Sequence, residues 1–318
     1  MDHLAHLFRH PRVTYGLGLL AALVICFSVA IFTRTPIIPL WLDGAPNAKS
    51  DAAADQPRIS VYLPPDHLAT GTGILVCPGG GYGAVMDTFE GRDIAHWLNS
   101  IGIAAFVLNY RHGGNGYRHP IPFQDGQRAI RLIRSHAAAW DLHPERLGIM
   151  GFSAGGHLAA MVGTRFTPSR PDHTDSVDTF SSRPDFMVLV YPVITMVGPH
   201  IEPGSKQNLL GLDPPHSLAE DVSAQRLVTT ATPPTFLVHT KDDPGVVVEN
   251  SLLFHSALQK AGVTAALHIF DRGGHGFGLG KGRGPVEQWS ALCAIWLKEQ
   301  GLLVEPGFFK KTPLIFIF

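Results

Sequence analysis

The sequence predicts a doubly wound α/β fold with a mostly parallel sheet. Three observations carry that expectation. Short apolar runs alternate with segments of helical spacing from residue 59 to residue 299, the rhythm of successive β-α units. Some of the runs are apolar throughout, as strands covered on both faces must be. Gly151-Phe152-Ser153-Ala154-Gly155 stands between such a run and such a helix, the setting of a sharp strand-turn-helix junction.

Taken in order, 59–63 and 73–77 read as strands, and 88–100 has helical spacing through Phe89, Ile94, Trp97 and Leu98. The run 103–110 is a buried parallel strand. The segment 125–139 is helical, with Ile130, Leu132 and Ile133 inward and Arg128, Arg131 and Arg134 outward. Strands follow at 147–150, 186–191, 235–239 and 265–270, with helices at 154–164, 248–261 and 286–299. Two stretches, 165–184 and 199–230, break the rhythm. They read as inserted loops or a small cap over the C-terminal edge of the sheet, where such folds bind ligands. Residues 57–303 therefore form the expected α/β domain, 33–56 a linker, and 304–318 a tail ending in an apolar LIFIF.

Composition bounds the function. Hydrophobic residues make up 45% and charged residues 16%, which excludes disorder for the bulk of the chain. A net charge of −1 builds no broad basic face, so nucleic acid is not an expected partner. Three cysteines make no disulfide scaffold, and Cys77 and Cys293, both in apolar surroundings, are expected to be buried free thiols.

The stretch 13–32 carries no charge and has the length of a membrane-crossing helix. Arg9 and Arg12 precede it, which favours a cytoplasmic N-terminus over residues 1–12. An uncleaved signal anchor is the first reading, because the apolar run exceeds a signal-peptide core. A cleaved signal peptide, with a small-x-small site at Ser28-Val29-Ala30, is the second, and a buried helix of the globular domain the third. The first two place the body outside the cytoplasm, periplasmic or extracellular, either tethered to the membrane or secreted.

The residues of the GFSAG junction carry the strongest chemical signal. So tight a turn leaves no room for bulk two positions either side of Ser153, and Gly151 and Gly155 meet that need. The serine then projects from the sheet edge at a helix N-terminus, where negative charge is favoured. A serine hydroxyl needs a base. In this arrangement the acid and the histidine follow the serine along the chain. His275, in Arg272-Gly273-Gly274-His275-Gly276-Phe277-Gly278 just after the last strand, is the expected base. His239 and His268 sit in strands and read as structural, and His157 as packing near the turn. Asp242 and Asp243 both follow the preceding strand. Asp243, which stands before Pro244-Gly245-Val246, is favoured as the residue that orients the imidazole.

An oxyanion needs backbone N–H donors, and Cys77-Pro78-Gly79-Gly80-Gly81-Tyr82 follows a strand where a donor loop is expected. The donors would be the amides of Gly80, Gly81 and Ala154. Pro78 replaces the usual histidine, so the bracing of the loop must come from elsewhere. Tyr82 and Phe277 flank these loops and are candidate substrate contacts, whereas Trp97 reads as core. No HExxH, Cys-x-x-Cys or phosphate-loop pattern occurs, so no metal or cofactor is expected.

The ordered set CPGGGY, EGRDIAHWLNSIGIAAFVLNYR, RLGIMGFSAGGHLAA, FLVHTKDDPGVVVENS and HIFDRGGHGFGLG resembles α/β-hydrolase-fold esterases of the carbohydrate-esterase and BD-FAE-like type. The resemblance covers residues 57–300 and supports Ser153, Asp243 and His275 as nucleophile, acid and base. It supports Gly80, Gly81 and Ala154 as oxyanion donors. It implies an ester substrate, either a small molecule or an oligosaccharide acetylated or feruloylated as in xylan or xyloglucan. Some relatives are labelled xylanases, a label that a serine site argues against, since glycosidases use paired carboxylates. The alternatives are a general short-chain carboxylesterase or lipase, a serine peptidase, and an inactive binding protein.

Overall fold

The computed structural model describes residues 35–304. The segment 13–32, Cys26 and the apolar end of the tail lie outside them. Among the described residues no helix is long and apolar enough to cross a membrane.

The chain runs through β1 (Ile37–Pro39), β2 (Arg58–Tyr62), β3 (Gly73–Cys77), α1 (Asp93–Ser100), β4 (Ala104–Asn109), α2 (Ile121–Ser135), β5 (Leu147–Phe152) and α3 (Ser153–Thr164). It continues through β6 (Met187–Val190), α4 (Pro203–Leu210), α5 (His216–Asp221), β7 (Thr235–Thr240), α6 (Glu249–Lys260), β8 (Ala265–Phe270) and α7 (Trp289–Glu299). One sheet takes the order β1-β2-β4-β3-β5-β6-β7-β8. β2 is antiparallel to both neighbours, and every pairing from β4 to β8 is parallel. This is the α/β-hydrolase fold.

Alternation along the strands divides the core. Leu75, Cys77, Phe106, Ile149 and Leu189 face α2, α3 and α6. Ile74, Val76, Val107, Met150 and Val190 face α1 and α7. Both sides are buried, which is why the strands read as unbroken apolar runs. Cys77 and Cys293 are buried and free, one on each side of the sheet.

The register places the chemistry. β3 lies beside β5 with Cys77 opposite Gly151, so the glycine loop and the GFSAG turn emerge together. β7 lies beside β8 with Thr240 opposite Phe270, so the segments carrying Asp243 and His275 also leave the sheet as neighbours.

The structure corrects several sequence-based expectations. Within the expected 33–56 linker, residues 37–46 are held against the body. Ile37–Pro39 pairs with β2, Leu40 is buried, and the Pro46 carbonyl accepts from Arg111 Nη1 at 2.7 Å. Pro and Asp residues hid the short apolar stretch that does the pairing. The 88–100 segment is one π-helical turn (Thr88–Arg92) followed by α1. Arg128 and Arg131 do not face solvent. Each is 6% exposed under the 165–184 insertion, where Arg128 Nη1 lies 2.8 Å from Asp175 and 3.1 Å from Asp178. That insertion therefore covers α2. The 199–230 insertion, which carries α4 and α5, supplies Glu202 to the cleft around Ser153.

Candidate active site

Ser153 is the first residue of α3 and has φ +51, a left-handed conformation imposed on a non-glycine residue. The strain is held by close packing. A Cβ on Gly151 would strike the carbonyl of Gly155, and one on Gly155 the carbonyl of Cys77. The result is a serine whose side chain stands in an open cleft of about 360 Å³. Gly80, Gly81, Met86, Glu202, Val246 and His275 are among its other walls.

The three residues expected to work together do meet. His275 Nδ1 lies 2.7 Å from Asp243 Oδ2, and its Nε2 lies 2.9 Å from Ser153 Oγ. A carboxylate only accepts, so Nδ1 carries the proton and Nε2 is left to accept from the serine hydroxyl. Asp243 Oδ1 accepts from the amides of Gly245 and Val246, each at 2.8 Å. Burial alone would raise the Asp243 pKa. The bonds from His239, His275 and the Val246 amide outweigh it and hold the carboxyl well below the ordinary carboxylate range. Asp242 takes another place, accepting the Gly274 N–H at 2.8 Å and so steadying the loop before His275.

The glycine loop is shaped by where its carbonyls are tied. The Gly79 carbonyl accepts from Met86 N at 3.0 Å, and the Gly80 carbonyl accepts from Gly83 N at 2.9 Å and Ala84 N at 3.0 Å. In a trans peptide the N–H points opposite the C=O. The N–H groups of Gly80 and Gly81 are thereby turned away from the loop's own bonds, and both residues line the cleft with Ser153. Gly80 holds φ +126, and a Cβ there would meet the Ala84 carbonyl. Asn208 of α4 donates to the Gly81 carbonyl at 2.8 Å and fixes the far end. Ala154 lies in the first turn of α3, where backbone N–H groups lack intrahelical partners.

Sequence reasoning missed the brace that replaces the usual histidine. Glu90, 2% exposed, accepts the Gly79 N–H through Oε2 at 2.7 Å and the Tyr191 hydroxyl through Oε1 at 2.7 Å. The Tyr191 oxygen accepts in turn from the Gly278 amide at 3.0 Å, and its ring lies 4.9 Å from that of His275. Burial pushes the Glu90 carboxyl above its ordinary range, against the pull of the two donors.

Two expected substrate contacts fare differently. Tyr82 is 1% exposed and turned into the core, with its hydroxyl 2.9 Å from His157 Nδ1, so it does not face the cleft. Phe277 packs on Tyr191 at 4.4 Å and lines a neighbouring groove. His157 is buried, and its Nε2 donates to the Val222 carbonyl at 2.7 Å. His239 donates through Nε2 to Val246 at 2.8 Å, with Asp243 Oδ2 3.2 Å away.

Residues 59–258 match the model of the BD-FAE family. The chain is 37% identical to an acetylxylan esterase of Xylanibacter ruminicola over 72% of its own length and 46% of that protein's. It is 36% identical to an endo-1,4-beta-xylanase B of Butyrivibrio fibrisolvens, over 69% of its own length and 34% of that protein's. The chain thus spans about half or less of these relatives. An acetyl ester-xyloside bifunctional hydrolase from Caldicellulosiruptor lactoaceticus superposes with a TM-score of 0.79 at 43% identity, covering 85% of this chain and 97% of the other.

Proposed function

The chain belongs to the BD-FAE family, and from that premise we propose that it is a serine carboxylic ester hydrolase acting on acylated hemicellulose oligosaccharides. The observation that carries the reading is the continuous relay from Asp243 through His275 to Ser153, at 2.7 and 2.9 Å. Acetyl is the acyl group favoured by the names of two relatives, and feruloyl is the next candidate.

The reaction runs in two acyl transfers. His275 Nε2 takes the hydroxyl proton as Ser153 Oγ attacks the ester carbonyl. The carbonyl oxygen becomes an oxyanion, received by the amides of Gly80, Gly81 and Ala154. The imidazolium, held in place by Asp243, returns its proton to the departing alcohol. The acyl group stays on Ser153. Water, deprotonated by His275, then attacks the acyl-enzyme; the acyl–Oγ bond breaks, the imidazolium returns the proton to Ser153 Oγ, and the carboxylic acid leaves. We place this domain outside the cytoplasm, either tethered by the 13–32 segment or secreted after its removal.

The test is deacetylation of xylan and xyloglucan oligosaccharides followed by mass spectrometry, with p-nitrophenyl acetate in parallel. Loss of acetyl groups by the parent protein, and none by Ser153→Ala, is the expected result. Cleavage of the aryl ester alone would reduce the reading to a general carboxylesterase. Cleavage of neither would overturn it.

A further inference from the structure

A second groove of about 440 Å³ runs beside the cleft, lined by Phe89, Asp93, Leu279, Lys281 and Arg283 with the 276–278 segment. It shares Phe89 and Gly276 with the cleft around Ser153, so one molecule can occupy both. Its position decides which half of an ester it meets. In the proposed reaction His275 gives its proton to the departing alcohol, so the alcohol lies on the imidazole side of Ser153. The groove starts at the residues directly after His275. It is therefore placed for the alcohol, which in the proposed substrate is the glycan.

The lining suits a sugar chain. Phe89 is 39% exposed and offers an apolar face to pyranose C–H groups, with Leu279 beside it. Charge adds selectivity. The rim is Gly278-Leu279-Gly280-Lys281-Gly282-Arg283-Gly284, and its glycines hold φ values of +50, +72, +72 and +77. The loop is tied down by Gly280 N to Phe277 O at 2.7 Å, Arg283 N to Gly280 O at 2.9 Å, and Trp289 Nε1 to Gly278 O at 2.9 Å. It presents two long cationic side chains, and among the described residues neither enters an ion pair. Two acids adjoin these cations, and each has a contact of its own. Asp93 lies 3.6 Å from Arg92 Nε, and Glu287 accepts the Gly282 N–H at 3.4 Å.

We propose that this groove is a glycan subsite, and that Lys281 and Arg283 select acylated hemicellulose chains bearing a carboxylate, a uronic acid branch, over neutral ones. The proposal rests on the esterase reading above. Its test compares the parent protein with the Lys281→Ala, Arg283→Ala double variant on acetylated xylo-oligosaccharides with and without one glucuronic acid branch. The double variant is expected to raise KM about five- to tenfold for the branched chains only. kcat, and the rates on unbranched chains and p-nitrophenyl acetate, stay within about twofold, and added salt narrows the KM gap.

Calorimetry with unacetylated branched oligosaccharides separates the subsite from the chemistry. Ser153→Ala should bind them, and adding the two alanines should weaken binding about five- to tenfold. Binding that depends on the two cations without any hydrolysis would keep the subsite and sink the esterase reading. Equal KM or equal binding with and without the two cations would overturn the subsite. So would an equal loss on every substrate.

Discussion

Glu90 Oε2 lies 2.7 Å from the amide nitrogen of Gly79, one residue before Gly80 and Gly81, which line the cleft. The same carboxylate reaches Tyr191, whose hydroxyl receives the Gly278 amide beyond His275. One buried acid thus links the loop expected to hold the oxyanion to the loop that carries His275. Replacing Glu90 by Gln keeps the volume but sets an amide donor against one of two donors. kcat is expected to fall about 10- to 100-fold, with KM within about twofold, because a misaimed oxyanion loop loses transition-state binding only. Affinity for a boronic acid, which forms a tetrahedral adduct, should fall in step with kcat. Tyr191→Phe cuts only the far half of the link and should cost less. Equal losses in KM and kcat would contradict this role.

The neighbours Asp242 and Asp243 should separate cleanly. Asp243→Asn cannot hold the imidazole tautomer that the relay needs, and should lower kcat about 10⁴-fold. Asp242→Asn, at a side chain that accepts the Gly274 amide, should stay within about tenfold. Steady-state kinetics on p-nitrophenyl acetate decide it.

His157 predicts a pH dependence of stability. Burial lowers its pKa to about 4, against 6.5 for a free imidazole. Between those values the unfolded chain binds a proton that the folded chain refuses, so stability falls as pH drops from about 6.5 to about 4 and then levels off. The contribution is about 3 kcal/mol. Urea unfolding at stepped pH should show that slope, and His157→Phe should flatten it. The variant also strands the Tyr82 hydroxyl and the Val222 carbonyl, so its stability at neutral pH should be lower by about 2–4 kcal/mol.

The Arg111–Asp125 pair is closed to solvent, with Nη2 2.6 Å from Oδ1. It also ties the Pro46 segment to α2. Asp125→Ala leaves a buried guanidinium unpaired and should cost about 3–5 kcal/mol. An Arg111→Met, Asp125→Leu double variant should recover part of that loss, and chemical unfolding of all three proteins measures it.

Much of the fold was legible because its strands are covered on both faces and its elbow demands small residues at fixed offsets. The relay was legible because chain order limits which acid and histidine can follow Ser153. The rest depends on contacts remote in sequence. Arg128 and Arg131 read as solvent-facing because nothing local announces that Asp175 and Asp178 fold over them. Tyr82 stood beside a site loop, but its φ of +53 turns the ring inward to His157. Glu90 did leave a trace. It precedes Ile94 by four residues and Leu98 by eight, so a charge stands within the apolar stripe of the expected helix. A buried charge in such a stripe demands donors, and here they are the Gly79 amide and Tyr191.

The most direct measurement is the stoichiometry and position of labelling by a fluorophosphonate, followed by peptide mapping alongside residual activity on p-nitrophenyl acetate. We expect one adduct per chain, on Ser153, with activity lost in the same proportion, and no adduct on Ser153→Ala or His275→Ala. An unlabelled Ser153, or a Ser153→Ala protein that still hydrolyses the ester at the parent rate, would contradict the account.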